Sequence, residues 1–332
     1  MTRFDSRRRV STYTSVWMPT GDETSQTVAG YFAGGETGSS VPANAQVSGI
    51  DKISFADDTK STLSATLTTT VFGAAGFANS GVAGFVAAGH QETSSGMIKF
   101  SRIDKITFPA DTKSTLSATL TTARNYAPGL ANSGTAGYAA GGYGSDYISS
   151  IEKLLFSGET ISTLSATLSA TGQGKFGLAN SGTAGYVGGG VGHAGWTAAI
   201  DKITFSSDSR STLSATLTTA VAYVAGYAYS NVAGYAGGGA NSSNVKQSNI
   251  DKITFSSDTK STLSTTLTAA TSALNGMSNN LVAGYFGGGA VGSANVNTIQ
   301  KLTFSSETNA NISATLTNSL THVAGFADSG VF

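Results

Sequence analysis

The sequence predicts an all-β fold in which six similar units of four antiparallel strands close into a ring. Three observations carry this reading. Short blocks recur six times at fixed spacing, the segments inside each block alternate or run apolar over strand lengths, and the last block stops where the first unit begins.

The first block is Ala-Gly-Tyr/Phe, with its glycine at Gly30, Gly84, Gly137, Gly185, Gly234 and Gly284. The second is IDKITF or a variant, with Lys52, Lys105, Lys153, Lys202, Lys252 and Lys301. The third, STLSATL or a variant, ends at Leu67, Leu120, Leu168, Leu217, Leu267 and Leu316, always 15 residues after the lysine. The fourth starts nine residues later at Gly76, Gly129, Gly177, Gly226, Gly276 and Gly325, and the next Ala-Gly glycine follows by eight. Only the step from Ala-Gly to lysine varies, from 16 to 22 residues. A packed strand cannot change length, because a one-residue slip turns every side chain to the other face. The variable step is therefore a loop.

Within a unit, residues 72–78 and 82–88 read as two strands joined by the tight turn Asn79-Ser80-Gly81, which uses the tolerance of Asn and Gly for positive φ. Ile50–Phe55 and Thr62–Leu67 are rich in β-branched and aromatic residues around the polar turn Ala56–Lys60, a second hairpin. No stretch combines a 3.6-residue apolar period with caps, so helices are not expected. A four-stranded unit repeating about every 50 residues fits the blade of a β-propeller, where each sheet buries its faces against its neighbours. The next motif glycine would fall at position 333, one beyond Phe332, so the N- and C-terminal segments are expected to share the closing blade. The expected domain runs from 28 to 332 in six blades, with units starting near 28, 82, 135, 183, 232 and 282. An open solenoid is the alternative architecture.

Composition narrows the function classes. The 332 residues carry 19 Lys+Arg against 19 Asp+Glu, only 11% are charged, 42 are Gly, and there is no Cys. Zero net charge gives no broad basic field for a nucleic-acid backbone. The lack of Cys removes disulfides, thiolate nucleophiles and Cys-ligated metals. No apolar run approaches the roughly 20 residues of a membrane helix, and the basic N-terminus lacks the apolar stretch of a secretory signal, so neither insertion nor export is expected.

AGYAAGG (Ala136–Gly142), IDKITF and the TLSATL strand follow the order of the kelch repeat: an aromatic strand with a Gly-Gly doublet, a strand ending in an aromatic, a turn and an outer strand. The chain resembles a divergent kelch-like propeller over residues 28–332. It departs from the usual pattern where Leu63 and its equivalents replace an outer-strand Trp and Phe55 and its equivalents replace a Tyr. The resemblance implies architecture and says little of function. Some kelch-like propellers are copper oxidases built on a Cys–Tyr crosslink, and this chain has no Cys to form one.

Features that recur six times read as scaffold. In every unit an acid follows the lysine by six residues, at Asp58, Asp111, Glu159, Asp208, Asp258 and Glu307, and a ring of ion pairs at the blade junctions is expected. The Gly-rich runs lack the strand–GxxxxGK[ST]–helix setting of a phosphate loop. His90, His193 and His322 fall in three units without metal-ligand spacing, so no metal and no cofactor are expected. Turn carboxylates such as Asp51, Asp57 and Asp58 recur from unit to unit, so no acid/base pair stands out and no enzymatic activity is expected.

Differences between units read as function. The variable loop and the crossover to the next unit leave the sheet at the same end, and variable residues there form a candidate binding rim. Arg124, Asn125, Tyr126, Tyr143, Asp146, Tyr147, Lys175, His193 and Trp196 are the candidate ligand-binding residues, with Phe72, His90, Gln91, Glu92, Gln173, Tyr223 and His322 beside them. Aromatics next to amides and single charges suit glycan or protein recognition. Residues 1–27 stand outside the repeat as a basic arm, with Arg7, Arg8, Arg9 and Trp17 as candidate anchoring residues.

Near-identical units, a Gly/Ala/Ser/Thr bias, no Cys and a short basic arm also resemble the kelch-like repeat proteins among the structural proteins of tailed phages. That resemblance implies a virion protein, a tail-fibre or decoration head mounted on other virion proteins by its arm and touching host-surface glycan or protein with its rim. The alternative is a cytoplasmic propeller adaptor or lectin. A homo-oligomer is compatible with either.

Overall fold

The computed structural model describes residues 28–38 and 45–328. The anchoring candidates Arg7, Arg8, Arg9 and Trp17 lie outside the described residues.

Among the described residues the fold is all-β, without a helix, and contains six four-stranded antiparallel sheets. Sheet 1 joins both ends of the chain, with Ala324–Ala327 inside, then Ala29–Ala33, Ile50–Ser54 and Lys60–Thr62. Sheets 2 to 6 each use one continuous stretch, and their inner strands are Ala75–Asn79, Gly129–Asn132, Phe176–Asn180, Ala225–Tyr229 and Asn275–Asn279. The terminal pairing sets Tyr31 opposite Phe326 and Phe32 opposite Gly325. Each inner strand contacts the inner strands of the sheets before and after it, and that of sheet 6 contacts that of sheet 1.

The repeated residues explain why the sheets pack. Inner and second strands are buried along most of their length, whereas the outer strand alternates exposed and half-buried residues. The fourth-block glycines form a collar: a Cβ on any of them would lie within 3 Å of the carbonyl oxygen of the preceding one, from Gly76 on Gly325 around to Gly325 on Gly276. No other residue allows strands this close. One residue on, Phe77, Leu130, Leu178, Tyr227, Met277 and Phe326 project onto the Ala-Gly glycine of the next sheet, at Gly137, Gly185, Gly234, Gly284, Gly30 and Gly84. A large side chain thus fills the space each of those glycines leaves.

Outside this core, the aromatic of each first block stacks on the phenylalanine of the next unit, as in Tyr31–Phe108, Phe85–Phe156 and Tyr285–Phe55, with ring centres 5.0 to 5.3 Å apart. The lysines pair with the acid of the following unit: Lys52–Asp111 at 2.6 Å, Lys105–Glu159 at 2.5 Å, Lys153–Asp208 and Lys202–Asp258 at 2.7 Å, Lys252–Glu307 at 2.5 Å and Lys301–Asp58 at 2.7 Å. Where the first-block aromatic is Tyr, its hydroxyl also donates to that acid, as Tyr186 does to Asp258 at 2.8 Å.

Two expectations need correction. The strand expected from residue 72 begins at Ala75, because residue 73 and its equivalents have positive φ and bend the chain. The variable step, expected to be loop throughout, contains its own hairpin in unit 2, His90–Thr93 paired with Gly96–Lys99, and shorter ladders at Val191–Trp196 and Ala290–Asn295. There the alternation was too brief to separate from loop composition.

Candidate functional site

Strands run the same way in every sheet, so variable loops and crossovers share one end, the loop end, and the Asn-Ser-Gly turns share the other, the turn end. Bridges Phe72↔His90, Asn125↔Tyr143, Gln173↔Val191 and Ala222↔Ala240 tie each crossover to its loop.

At the loop end the crossovers dive to the axis. Three residues before each collar glycine stand Gly73, Tyr126, Gly174, Tyr223, Ala273 and His322, all with φ between +52° and +66°. Their backbones form a closed cycle in which the N–H of each donates to the carbonyl of the one before: Tyr126 to Gly73 at 2.7 Å, Gly174 to Tyr126 at 3.0 Å, Tyr223 to Gly174 at 2.6 Å, Ala273 to Tyr223 at 2.9 Å, His322 to Ala273 at 2.8 Å and Gly73 to His322 at 2.9 Å. Small and large residues alternate in this iris. The three large ones meet edge to face, Tyr126–His322 at 4.9 Å, Tyr223–His322 at 5.3 Å and Tyr126–Tyr223 at 5.6 Å. Beside them lies an axial cavity of about 70 Å³ lined by the iris and by Pro128, Lys175, Phe176, Leu274 and Asn275 among others, with no Asp or Glu in its wall.

Burial sets the protonation of this end. Desolvation holds the His322 imidazole down to about 3 and the His90 imidazole to about 4, so both are neutral at pH 7. Desolvation also raises the Tyr126 and Tyr223 phenols. His90 is fully buried against Phe72, with Nδ1 3.0 Å from the Asn125 amide nitrogen.

Several rim candidates are therefore interior groups, which corrects their expected placement. Arg124 is fully buried and ion-paired with an equally buried Glu152, and its guanidinium also donates to the carbonyls of Gly141 and Ser150. Asn125 is fully buried against His90. Lys175 reaches back to donate to the Gly189 carbonyl at 3.0 Å, and burial lowers its ammonium. Tyr126 belongs to the iris. A crossover residue is loop-like by composition, but it must re-enter the axis to begin the next inner strand.

The remaining candidates come together on the surface of units 3 and 4. Tyr143 and Tyr147 meet edge to face at 5.2 Å, and Tyr147 meets His193 of the next unit at 5.1 Å with the rings 89° apart. His193 Nε2 lies 2.9 Å from Asp146 Oδ1, and both side chains are exposed, at 62% and 66%. The Tyr147 N–H, and after it His193, hold the Asp146 carboxyl below the usual carboxylate range. Trp196 is half-buried in the same loop as His193, in the short ladder with Val191, and touches none of these rings.

Sequence reasoning missed Lys99. It projects from the unit 2 hairpin, its ammonium 4.1 Å from the Tyr143 ring centre and hydrogen-bonded to the Gly144 carbonyl. Exposed Met97 and Ile98 precede it. The signal available was the extra length of that loop.

No family model matches the chain, and no curated protein does. A solved structure titled "Structure of YjhT" is similar in fold, with a TM-score of 0.66 over 80% of this chain and 91% of that one, at 14% identity. At that identity the likeness concerns the fold alone, and together with the all-β arrangement of four-stranded antiparallel sheets it fits a β-propeller.

Proposed function

We propose that the six sheets are the six blades of a closed propeller and that the chain is a non-enzymatic recognition head, carried on a tailed-phage particle as a tail-fibre or decoration protein. Six-blade closure is supported by the cycle of iris hydrogen bonds, the glycine collar and the lysine–acid pairs, each of which returns to its start. Recognition rests on one observation, the surface cluster of half-buried Tyr143 and Tyr147 with exposed Asp146 and His193 and with Lys99 beside it, which no other unit reproduces. Half-buried surface aromatics supply contact area at low entropic cost, and a carboxylate and an imidazole supply direction for hydroxyls of a host glycan or polar groups of a host protein. The arm bearing Arg7, Arg8, Arg9 and Trp17 enters at Val28, at the turn end, where a mount would leave the cluster free.

Binding of the purified chain to host cells and to a glycan array tests this reading. The triple variant Tyr143→Ala, Tyr147→Ala, Trp196→Ala is expected to melt like the parent and to lose attachment. Normal attachment by that variant, or turnover of a bound polysaccharide by the parent, would overturn it.

A further inference from the structure

Exposed aliphatic residues at the turn end gather on sheets 5, 6, 1 and 2, and the other one among the described residues is Leu155 of sheet 3, 37% exposed. At the residue before the second strand, sheets 5, 6, 1 and 2 carry Val232, Val282, Val28 and Val82, exposed by 40%, 49%, 38% and 50%, whereas sheets 3 and 4 carry Thr135 and Thr183. Leu281, 61% exposed, adds to the arc from the sheet 6 turn. Isolated exposed apolar side chains need no explanation, but a contiguous set does.

Leu281 makes the second observation. Its φ is +70°, at the turn position held by Gly81, Gly134 and Gly182 in sheets 2 to 4 and by Asn231 in sheet 5. A leucine there costs about 1–2 kcal/mol against glycine, and in solvent it returns nothing. Beside it the Asn280 side-chain oxygen is buried without a hydrogen-bond partner. In sheets 2 to 4 the same turns are stitched to each other, Ser80 N–H to Ser133 Oγ at 3.0 Å, Ser133 N–H to Ser181 Oγ at 2.9 Å and Gly134 N–H to Asn79 Oδ1 at 3.0 Å. The arc thus combines exposed aliphatics with one leucine held in a strained turn, which suits a segment that brings apolar side chains.

We propose that this arc is the docking surface for the chain's own residues 13–19, YTSVWMP, with Trp17 as the anchor. The chain enters the structure at Val28, within the arc, between its two flanks. Trp17 lies eleven residues earlier, and at up to about 3.5 Å per residue the intervening chain reaches every part of the arc. Tyr13, Val16, Trp17 and Met18 are the apolar part of the arm, and Arg3, Arg7, Arg8 and Arg9 lie beyond it, so docking would leave the basic end free for an acidic partner. The inference goes beyond the recognition reading and does not depend on what the loop end binds.

Trp17 and Trp196 are the only tryptophans, so the full-length variant Trp196→Phe reports on Trp17 alone. Its emission is expected to be blue-shifted from that of the denatured chain, with a severalfold lower acrylamide quenching constant that does not change on dilution. Adding Leu281→Asp and Val282→Asp should raise quenching towards the denatured value while the β-sheet circular dichroism and melting transition persist, and Val82→Asp should act in the same direction should that pair impair folding. Trp17 as open to acrylamide as in denaturant, protection unaffected by variants that fold, or protection lost on dilution together with dissociation to monomers, which would make a second copy the occupant, would each overturn the proposal.

Discussion

The glycine collar and the loop end of units 2 to 4 are built by the same repeat yet obey opposite rules. In the collar, all six units contribute the same residue to the same contact, because any side chain on one glycine would collide with the backbone of its neighbour. At the loop end, units 2 to 4 replace repeat residues with Arg124 and Glu152, Asn125 and His90, and Lys175, which make individual contacts, while His90 Nε2 and Asn125 Oδ1 stay buried without a hydrogen-bond partner. Uniformity marks contacts made in the same way at every junction between sheets. Individuality marks places where the ring tolerates a local solution.

The collar offers the largest test. Gly129→Ala would set a methyl group within 3 Å of the Gly76 carbonyl oxygen, a backbone atom that cannot step aside, and a loss of roughly 4 kcal/mol or outright failure to fold is expected. Gly81→Ala, in an open turn with φ +67° and nothing near the added carbon, should cost only about 1–2 kcal/mol in denaturant titrations. Equal losses would erase the distinction between collar and periphery.

Glu152→Ala leaves the Arg124 guanidinium buried without its counter-ion and should cost about 3–5 kcal/mol. The triple change Arg124→Val, Glu152→Asp, Ile161→Lys reproduces the Val71, Asp104 and Lys113 of the neighbouring unit, where Lys113 pairs with Asp104 at 3.2 Å, and should restore stability to within about 1 kcal/mol of the parent. A triple variant as unstable as the single one would mean that the sector cannot revert to the repeat.

A smaller effect concerns the imidazoles at the axis. His90 and His322 are held neutral in the fold, to about 4 and about 3, while the unfolded chain protonates near 6.5. The unfolded state therefore binds more protons below pH 6.5, and stability is full above that value and declines as pH falls towards 4. Thermal melts between pH 7 and 4 should show this decline, and His322→Phe should flatten it. An unchanged slope in that variant would show that the imidazole is not sealed from solvent.

The smallest change is expected from the repeated ion pairs. Lys202 and Asp258 are 22% and 32% exposed, and Tyr186 also donates to that acid, so Lys202→Met should cost at most about 1 kcal/mol and leave binding intact. A much larger loss would place the pairs with the collar.

Much of the ring was legible in the linear text. Fixed spacings gave the strands and their order, and the overshoot to position 333 pointed to the pairing of Ala324–Ala327 with Ala29–Ala33. The acids and lysines were visible as a set, but not that each lysine reaches forward to the next unit, because a linear repeat says nothing about which neighbour a side chain faces. Likewise Gly73, Tyr126, Gly174, Tyr223, Ala273 and His322 alternate small and large in the sequence, a pattern without meaning until the crossovers converge on one axis.

By itself the sequence determined what repetition enforces, strand lengths and turn chemistry, since these follow from backbone sterics within a unit and from spacing that cannot slip, whereas the collar positions must be glycine because of the neighbouring sheet's backbone. Only the tertiary structure decided which variable residues are reachable. It sent Arg124 and Asn125 inward, turned half-buried Lys175 back onto the Gly189 carbonyl, and brought Tyr143, Asp146, Tyr147 and His193 together at the surface, because burial and proximity between units are properties of the packing between sheets and not of any one segment.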